Sequence, residues 1–261
     1  MAVALSERGV ETRIPPENGR KPLHYEGLAN AELFWLFTSL VWHGIGVPRG
    51  DGSPVITIPG FIDSDWHLMP LNSWLSRMNY RSYFSDIVIN TDPESHIEEV
   101  AEKAKRIYER EGRKIHLIGH SLGGVIARGV GHEYPEYIES VTALGSPIDG
   151  DFEEAVNPFV LALGKVIIPS FRNPEEFARR KEQLLQLLPQ GVRSTYIYTK
   201  SDGVVDWHAC IDPDPRATSI KVSGTHTGLV WNPQVYEHIA HILASAPEKL
   251  YTSLSSLGFT A

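Results

Sequence analysis

The sequence has little cysteine, and it has fewer positively charged residues than negatively charged ones. One cysteine, Cys210, occurs in 261 residues, so no disulfide can form within the chain. Asp and Glu outnumber Lys and Arg by 32 to 24, which gives a net charge of −8. This charge argues against nucleic acid as a partner and against electrostatic docking to an anionic membrane. The single cysteine fits a reducing compartment.

Long apolar runs are scarce as well. The apolar stretch Leu33–Trp42 reaches about half the length that a helix needs to cross a bilayer. It favours a core helix or a helix that covers the domain, while a pocket wall and an interfacial membrane or dimer contact stay open. The residues after Met1 turn polar quickly and do not form a secretory signal. We therefore expect a cytoplasmic protein, with a weak peripheral membrane contact as an open alternative.

One short motif carries more information than the composition. Residues Gly119–Gly123 have the pattern G-x-S-x-G, between an apolar strand-like run, Lys114–Ile118, and a helix-like stretch that begins at Gly124. A strand, a sharp turn and a helix form the context of a nucleophile elbow, in which the turn presents the serine to substrate. The pattern predicts Ser121 as a nucleophile, although a glycine-rich turn without chemistry would look the same.

A serine nucleophile needs a base, and His226 has the most suitable context among the 11 histidines. It lies in a glycine-containing loop directly after the predicted strand Thr218–Val222. His208 is the weaker alternative base. His238 and His241 fall in a predicted helix and are interpreted as helix-face residues, so no metal site is predicted.

A carboxylate must orient that histidine. Asp202 follows the predicted strand Ser194–Thr199 and precedes a glycine, which is the position that favours it as the acid. Asp206, four residues further on, stays open as the alternative.

The oxyanion of an acyl-transfer intermediate needs backbone donors. The apolar run Pro54–Ile58 predicts a strand, and it leads into Pro59-Gly60-Phe61. We expect the N–H groups of Phe61 and of Leu122, which follows the nucleophile, to form the oxyanion hole.

These segments together resemble the α/β-hydrolase superfamily, and in particular its lipase/esterase branch. The resemblance rests on the G-H-S-L-G-G form of the elbow and covers roughly residues 50 to 245. It implies a Ser121-Asp202-His226 triad in the family's chain order, an acyl-enzyme intermediate and no cofactor. The Pro59-Gly60-Phe61 loop departs from the lipase H-G-G-G pattern, so the second oxyanion donor stays open.

The rest of the chain alternates between predicted helices and strands. Helices are expected at Leu68–Asn79 and Ser95–Glu111, and strands at Ser82–Ile89 and Ser140–Leu144. This alternation predicts an α/β fold with a mostly parallel central sheet flanked by helices. We expect one α/β-hydrolase domain over residues 1–261, with an N-terminal arm and apolar helix in residues 1–50.

Residues 150–190 interrupt the alternation, because no strand is predicted there. The resemblance implies a small helical cap inserted before the acid-bearing strand, and two packing helices without a gating role are the alternative. In a cap, the apolar residues of this segment would line an acyl-binding tunnel: Phe159, Val160, Leu161, Leu163, Val166, Ile167, Ile168 and Phe171. The predicted substrate-binding set among them is Phe159, Leu163, Ile167 and Phe171.

The sequence thus predicts a serine hydrolase that cleaves carboxylic esters with an apolar acyl or alcohol part. The expected partner is a small-molecule or lipid ester. An acyltransferase with the same triad and a non-catalytic ligand-binding protein of the same fold are the alternatives, and the oligomeric state is not predicted.

Overall fold

The computed structural model describes residues 19–169 and 186–245, together with Glu175 and Glu182. Six strands lie in these ranges and form one sheet: β1 (Pro54–Ile58), β2 (Arg81–Phe84), β3 (Ile115–His120), β4 (Ile138–Leu144), β5 (Arg193–Thr199) and β6 (Thr218–Val222). Their order in the sheet is β2-β1-β3-β4-β5-β6, and every neighbouring pair is parallel. The predicted parallel α/β architecture is confirmed.

Crossover connections join these strands, as parallel pairing requires, and each of them except the one between β5 and β6 contains an α-helix. The α-helices of the described ranges are α1 (Ala29–Thr38), α2 (Met69–Arg77), α3 (Pro93–Glu111), α4 (Leu122–Glu133), α5 (Phe152–Ala155), α6 (Pro158–Ile167) and α7 (Pro233–Ala244). Short 3-10 helices at Leu23–Leu28, Asp65–Leu68, Trp207–Cys210 and Thr227–Trp231 lie in the loops.

The longest of these helices, α3, forms where its sequence pattern predicts it. Its apolar positions Ile97, Val100, Ala101, Ala104 and Ile107 recur at helical spacing, and all of them are buried. The Asp92 side chain caps its first turn, and Gly112 ends it in the left-handed conformation with φ of 66°. Local sequence and tertiary burial agree along this element.

Apolar side chains cover both faces of the sheet. Leu36, Trp74 and Tyr236 belong to a cluster on one face, which α1, α2 and α7 cover. Ile97 and Ile126 belong to the cluster on the other face, under α3 and α4. Because both faces are buried, the sheet is a rigid platform. In sheets of this kind, the loops at the carboxyl ends of the strands are the part that varies between proteins and holds the sites.

One predicted strand is shorter than the sequence pattern indicates. The expected strand Ser82–Ile89 ends at Phe84. The Asp65 carboxylate accepts hydrogen bonds from the N–H groups of Ser85 and Asp86, at 3.2 and 2.8 Å, and Asp86 has a positive φ of 73°. The strand ends because this carboxylate takes the donors that a sheet ladder would use.

The apolar stretch that begins at Leu33 falls mainly on α1, which is buried on one side only. Leu36 is fully buried, whereas Phe34, Trp35, Phe37 and Leu40 are exposed to solvent. The helix therefore covers the domain and contributes one face, with Leu36, to the core. Within the described residues, no helix is both long and apolar enough to cross a membrane.

Candidate active site

The turn that carries Ser121 has a strained backbone. Ser121 has φ of 52° and ψ of −121°, between the end of β3 at His120 and the start of α4 at Leu122. Residues with a side chain rarely adopt this conformation, and it persists only where the surroundings enforce it. A hydrogen bond of 2.8 Å from the Ser121 N–H to the Leu144 carbonyl fixes the turn to the neighbouring strand.

The glycines on both sides of Ser121 are required by close backbone contacts. A Cβ atom at Gly119 would overlap the carbonyl oxygen of Gly123, and one at Gly123 would overlap the carbonyl of Ile58 on β1. The strand and the helix can therefore approach closely only if both positions lack a side chain. This contact explains the two glycines of the motif independently of any chemistry.

His226 and Asp202 form a buried pair. Their loops follow β6 and β5, and the His226 Nδ1 lies 2.7 Å from the Asp202 Oδ2. The other carboxylate oxygen, Oδ1, accepts from the N–H groups of Val204 and Val205 at 2.8 and 2.7 Å. Both Asp202 oxygens act as acceptors in these contacts, so Nδ1 of the neutral ring carries the proton and Nε2 is left to accept one.

The surroundings of His226 change its proton affinity in two opposing ways. Burial favours the neutral ring and lowers the pKa, but the Asp202 charge and its hydrogen bond raise it, and Glu26 raises it further. The net result is a pKa above the ordinary value of 6.5. A raised pKa makes the ring a stronger base than a free imidazole, which suits it to take a proton from a hydroxyl.

The His226 ring lies next to the serine turn. Its centroid is 4.9 Å from that of His120, which directly precedes Ser121. Gly145 follows Leu144, whose carbonyl accepts from the Ser121 N–H. A Cβ atom at Gly145 would stand 3.1 Å from the His226 Nδ1. His120 itself donates from Nε2 to the His226 carbonyl at 3.0 Å, and burial, followed by the nearby His226 and His67 rings, keeps its pKa well below 6.5. It is a neutral anchor at the base of the turn.

Asp206 lies apart from this pair. Its carboxylate contacts the His208 Nδ1 at 2.7 Å and caps the short helix that begins at Trp207. The structure thus brings Asp202 to His226 and pairs Asp206 with His208, whose side chain is about half exposed. Cys210 is buried, and its pKa is raised well above 9.0, chiefly by burial, so its thiol stays protonated.

The loop after β1 lies against the serine. A Cβ atom at Gly60 would be 3.3 Å from the Ser121 Cβ. Among the described residues, no acceptor binds the N–H of Phe61 or the N–H of Leu122. Both residues line the same pocket as Ser121.

Asn90 holds this loop in place. The Asn90 side chain donates to the Pro59 carbonyl at 2.8 Å, its main-chain carbonyl accepts from the Ile62 N–H at 2.9 Å, and its own N–H donates to the Asp63 carbonyl at 2.9 Å. Asn90 is fully buried. Sequence reasoning missed this residue because the segment before it was assigned to a strand, and an asparagine after a strand is too common a pattern to single out.

The pocket beside Ser121 is apolar and encloses about 410 Å³ of space, its open mouth included. Its lining residues come from the serine turn, the loop after β1, the acid loop and α6, together with residues between β4 and α6: Phe61, Ser121, Leu122, Pro147, Phe152, Val156, Val160, Leu161, Gly164, Ile168, Val204 and Val205.

The α6 residues in this lining differ from the predicted substrate-binding set. Phe159 and Leu163 are exposed to solvent, Ile167 is half-buried, and none of the three lines the pocket. Phe171 lies outside the described residues. Apolar residues occupy most positions of this helix, so its sequence does not tell which face turns inward. Three residues that were also predicted to line the tunnel, Val160, Leu161 and Ile168, line the pocket together with Gly164.

The two histidines that the sequence predicts on a helix face, His238 and His241, are found on the helix Pro233–Ala244, α7. Within residues 19–169 and 186–245, no group of three His, Cys, Asp or Glu side chains is arranged to hold a metal ion.

Comparison with known proteins identifies the fold. No family model and no curated protein matches the sequence. Solved structures with the same architecture include a monoacylglycerol lipase of Paleococcus ferrophilus, with 15% identity, a TM-score of 0.53, and coverage of 76% of this chain and 96% of that one. A Bacillus licheniformis lipase is 17% identical, with a TM-score of 0.55 and coverage of 76% and 95%. Lipase B of Aspergillus fumigatus is 16% identical, with a TM-score of 0.57 and coverage of 80% and 58%.

Proposed function

Proceeding from the α/β-hydrolase fold that these structures share with the chain, we propose that it is a serine hydrolase that cleaves carboxylic esters. The observation that carries the proposal is the buried His226–Asp202 pair beside a strained serine turn. An isolated histidine or a glycine-rich turn also occurs in proteins without this chemistry. A carboxylate that orients an imidazole next to a serine turn is the arrangement that activates a hydroxyl for attack.

In the proposed mechanism, the Nε2 of His226 takes the proton of Ser121 as its Oγ attacks the ester carbonyl carbon. Asp202 holds the ring in the required tautomer and stabilises the imidazolium that forms. The N–H groups of Phe61 and Leu122 bind the oxyanion. His226 then protonates the leaving alcohol, and water repeats the sequence on the acyl-enzyme to release the acid.

The pocket supports an apolar substrate. Its walls come mainly from aliphatic and aromatic side chains, and Ser121 is part of its lining. Such a pocket gives its binding free energy to an alkyl chain rather than to a charged group. We therefore infer a substrate with an apolar acyl part, in line with the lipases named above.

Covalent labelling by a fluorophosphonate probe tests the proposal, with hydrolysis of p-nitrophenyl esters from acetate to palmitate measured alongside. Ser121→Ala is expected to abolish labelling. Asp202→Asn should lower kcat by on the order of 10⁴-fold, because the histidine then loses its orienting partner. Asp206→Asn is the matched control, since its carboxylate contacts His208, and it should retain near-normal activity.

Folded wild-type protein that neither labels nor hydrolyses any ester of the series would contradict the hydrolase. A larger loss in Asp206→Asn than in Asp202→Asn would contradict the assignment of the acid.

A further inference from the structure

Three backbone N–H groups from two different loops converge on one carboxylate, that of Glu26. Its Oε1 accepts from Gly203 at 2.9 Å and from His226 at 3.2 Å, and its Oε2 accepts from Thr227 at 2.8 Å. Gly203 follows the proposed acid Asp202, and the other two donors belong to the loop of the proposed base. Glu26 thus joins the acid loop to the histidine loop.

The environment of Glu26 sets it apart from its neighbours. It lies in the 3-10 helix Leu23–Leu28, whose other residues are exposed, and it is the member of that helix that turns toward the domain. A charged acceptor forms stronger hydrogen bonds with N–H groups than a neutral one. The bonds therefore restrain the two loops relative to each other more firmly than a neutral side chain would.

The adjoining segment makes further contacts with the same loops. The Lys21 N–H donates to the Asp202 carbonyl at 2.6 Å. Glu32, on α1, accepts from the N–H of Thr225 at 2.8 Å and from its hydroxyl at 3.1 Å. Residues 19–38 thus lie across both loops behind the His226–Asp202 pair.

We propose that Glu26 is a positioning residue of the active site, which holds His226 against Asp202 and adds negative charge behind the imidazole. This inference rests on the proposed serine-hydrolase function. Glu26 does not line the pocket and touches no reacting atom; it acts through the backbone of the two loops.

The charge of Glu26 changes the pKa of His226 in one direction. The titratable groups around His226 are Asp202 at its Nδ1, Glu26 at its backbone, His120 at its carbonyl and Glu32 at the preceding residue. Burial keeps the pKa of His120 low, and Asp202 and Glu26 are the two carboxylates whose charges raise the pKa of His226. Negative charge favours the imidazolium, so loss of the Glu26 charge should lower the pKa of His226.

The test compares wild type with Glu26→Gln, Glu26→Asp and the control Glu109→Gln, which alters an exposed glutamate on α3. Gln keeps the shape but loses the charge and one acceptor oxygen. We expect kcat for a p-nitrophenyl ester to fall about 10- to 100-fold with KM unchanged, because the histidine is displaced while the pocket is intact. The acid limb of the kcat/KM profile reports deprotonation of His226, so it should move to lower pH in Glu26→Gln and stay in place in Glu109→Gln.

Titration of the His226 ring by NMR gives the same pKa without a substrate, which separates this proposal from the proposed function. A wild type without esterase activity refutes the function, while the His226 titration in Glu26→Gln still decides the coupling. If Glu26→Gln does not fold, Glu26→Asp carries the test: it keeps the charge but lengthens the hydrogen bonds, so kcat should fall while the His226 pKa stays near that of wild type.

A Glu26→Gln protein that melts at a lower temperature but has the wild-type kcat and the wild-type His226 pKa would overturn the proposal. Glu26 would then be a structural contact only.

Discussion

At the scale of single residues, the candidate site is built from contacts that no local pattern contains. Glu26 lies 177 residues before Gly203 and 201 before Thr227, and Asn90 lies 31 residues after Pro59. The residues named by motifs, Ser121 and His226, stand in glycine-containing segments that follow strands. Their supporting residues stand in ordinary sequence and could be found only from the fold.

Asn90 offers a test at this scale. Asn90→Ala removes the side-chain bond to the Pro59 carbonyl and should loosen the Pro59–Asp63 loop, whose two main-chain bonds to residue 90 remain. Under the proposed function, kcat should fall about 10- to 100-fold, because the loop carries the proposed oxyanion donor Phe61. The loss of the buried hydrogen bond of its side chain should also reduce the free energy of unfolding by about 1–3 kcal/mol. Steady-state kinetics and urea unfolding measure the two effects.

Asn72→Ala is the matched control for this variant. Asn72 is a buried asparagine that donates to the Leu68 carbonyl at 3.2 Å and to the Thr57 hydroxyl on β1, and accepts from the Ser82 hydroxyl. None of these three partners belongs to the Pro59–Asp63 loop. It should lose similar stability but keep kcat. Equal loss of kcat in both variants would mean that Asn90 has no specific part in the site.

At the scale of elements, α6 shows that a helix can be predicted from sequence while the face that lines the pocket is not. The expected apolar segment Phe159–Ile168 is a helix over Pro158–Ile167. Apolar residues occupy most of its positions, so the sequence did not distinguish the pocket face from the solvent face. The placement of Val160 and Gly164 along the pocket made that distinction.

This assignment gives a matched pair of substitutions on one helix. Leu161→Trp places a larger side chain in the pocket and should lower kcat/KM for p-nitrophenyl octanoate about 10-fold or more relative to the acetate. Leu163→Trp, on the exposed face, should leave the preference for chain length unchanged. An ester series assayed on both variants measures this difference; an identical shift in both would place the acyl chain elsewhere.

At the scale of the whole molecule, the site depends on distant segments that meet at one edge of the sheet. The loops after β1, β3, β5 and β6 converge there, and residues 19–38 cover two of them. A buried ion pair also links elements that are far apart in sequence: Arg128 of α4 contacts Asp212, which lies between β5 and β6, and both are almost fully buried.

Loss of this pair should destabilise the fold as a whole. Asp212→Asn leaves the Arg128 charge buried without its carboxylate, so the free energy of unfolding should fall by about 3–5 kcal/mol. Asp86→Asn is the control, because it breaks the Lys103–Asp86 pair, in which the Asp86 side chain is 72% exposed, and should cost less than about 1 kcal/mol. Urea unfolding compares the two, and similar midpoints would contradict the assignment.

Much of the architecture was accessible from the sequence, because strands and helices depend on the period of apolar residues. The predicted strands Pro54–Ile58 and Thr218–Val222 have the same bounds in the structure. The strand predicted over Ser82–Ile89 was too long, since it is the Asp65 carboxylate, 20 and 21 residues away, that ends it.

The sequence by itself determined which residues carry polar chemistry at strand ends, because turn glycines, strand periodicity and the G-x-S-x-G motif are local properties. Tertiary structure decided which of these groups meet: it paired His226 with Asp202 rather than Asp206, turned one face of α6 to the pocket and brought Glu26 and Asn90 to the loops. The reason is physical. Hydrogen bonds between loops depend on the distances that the packed sheet imposes, and no pattern of neighbouring residues encodes those distances.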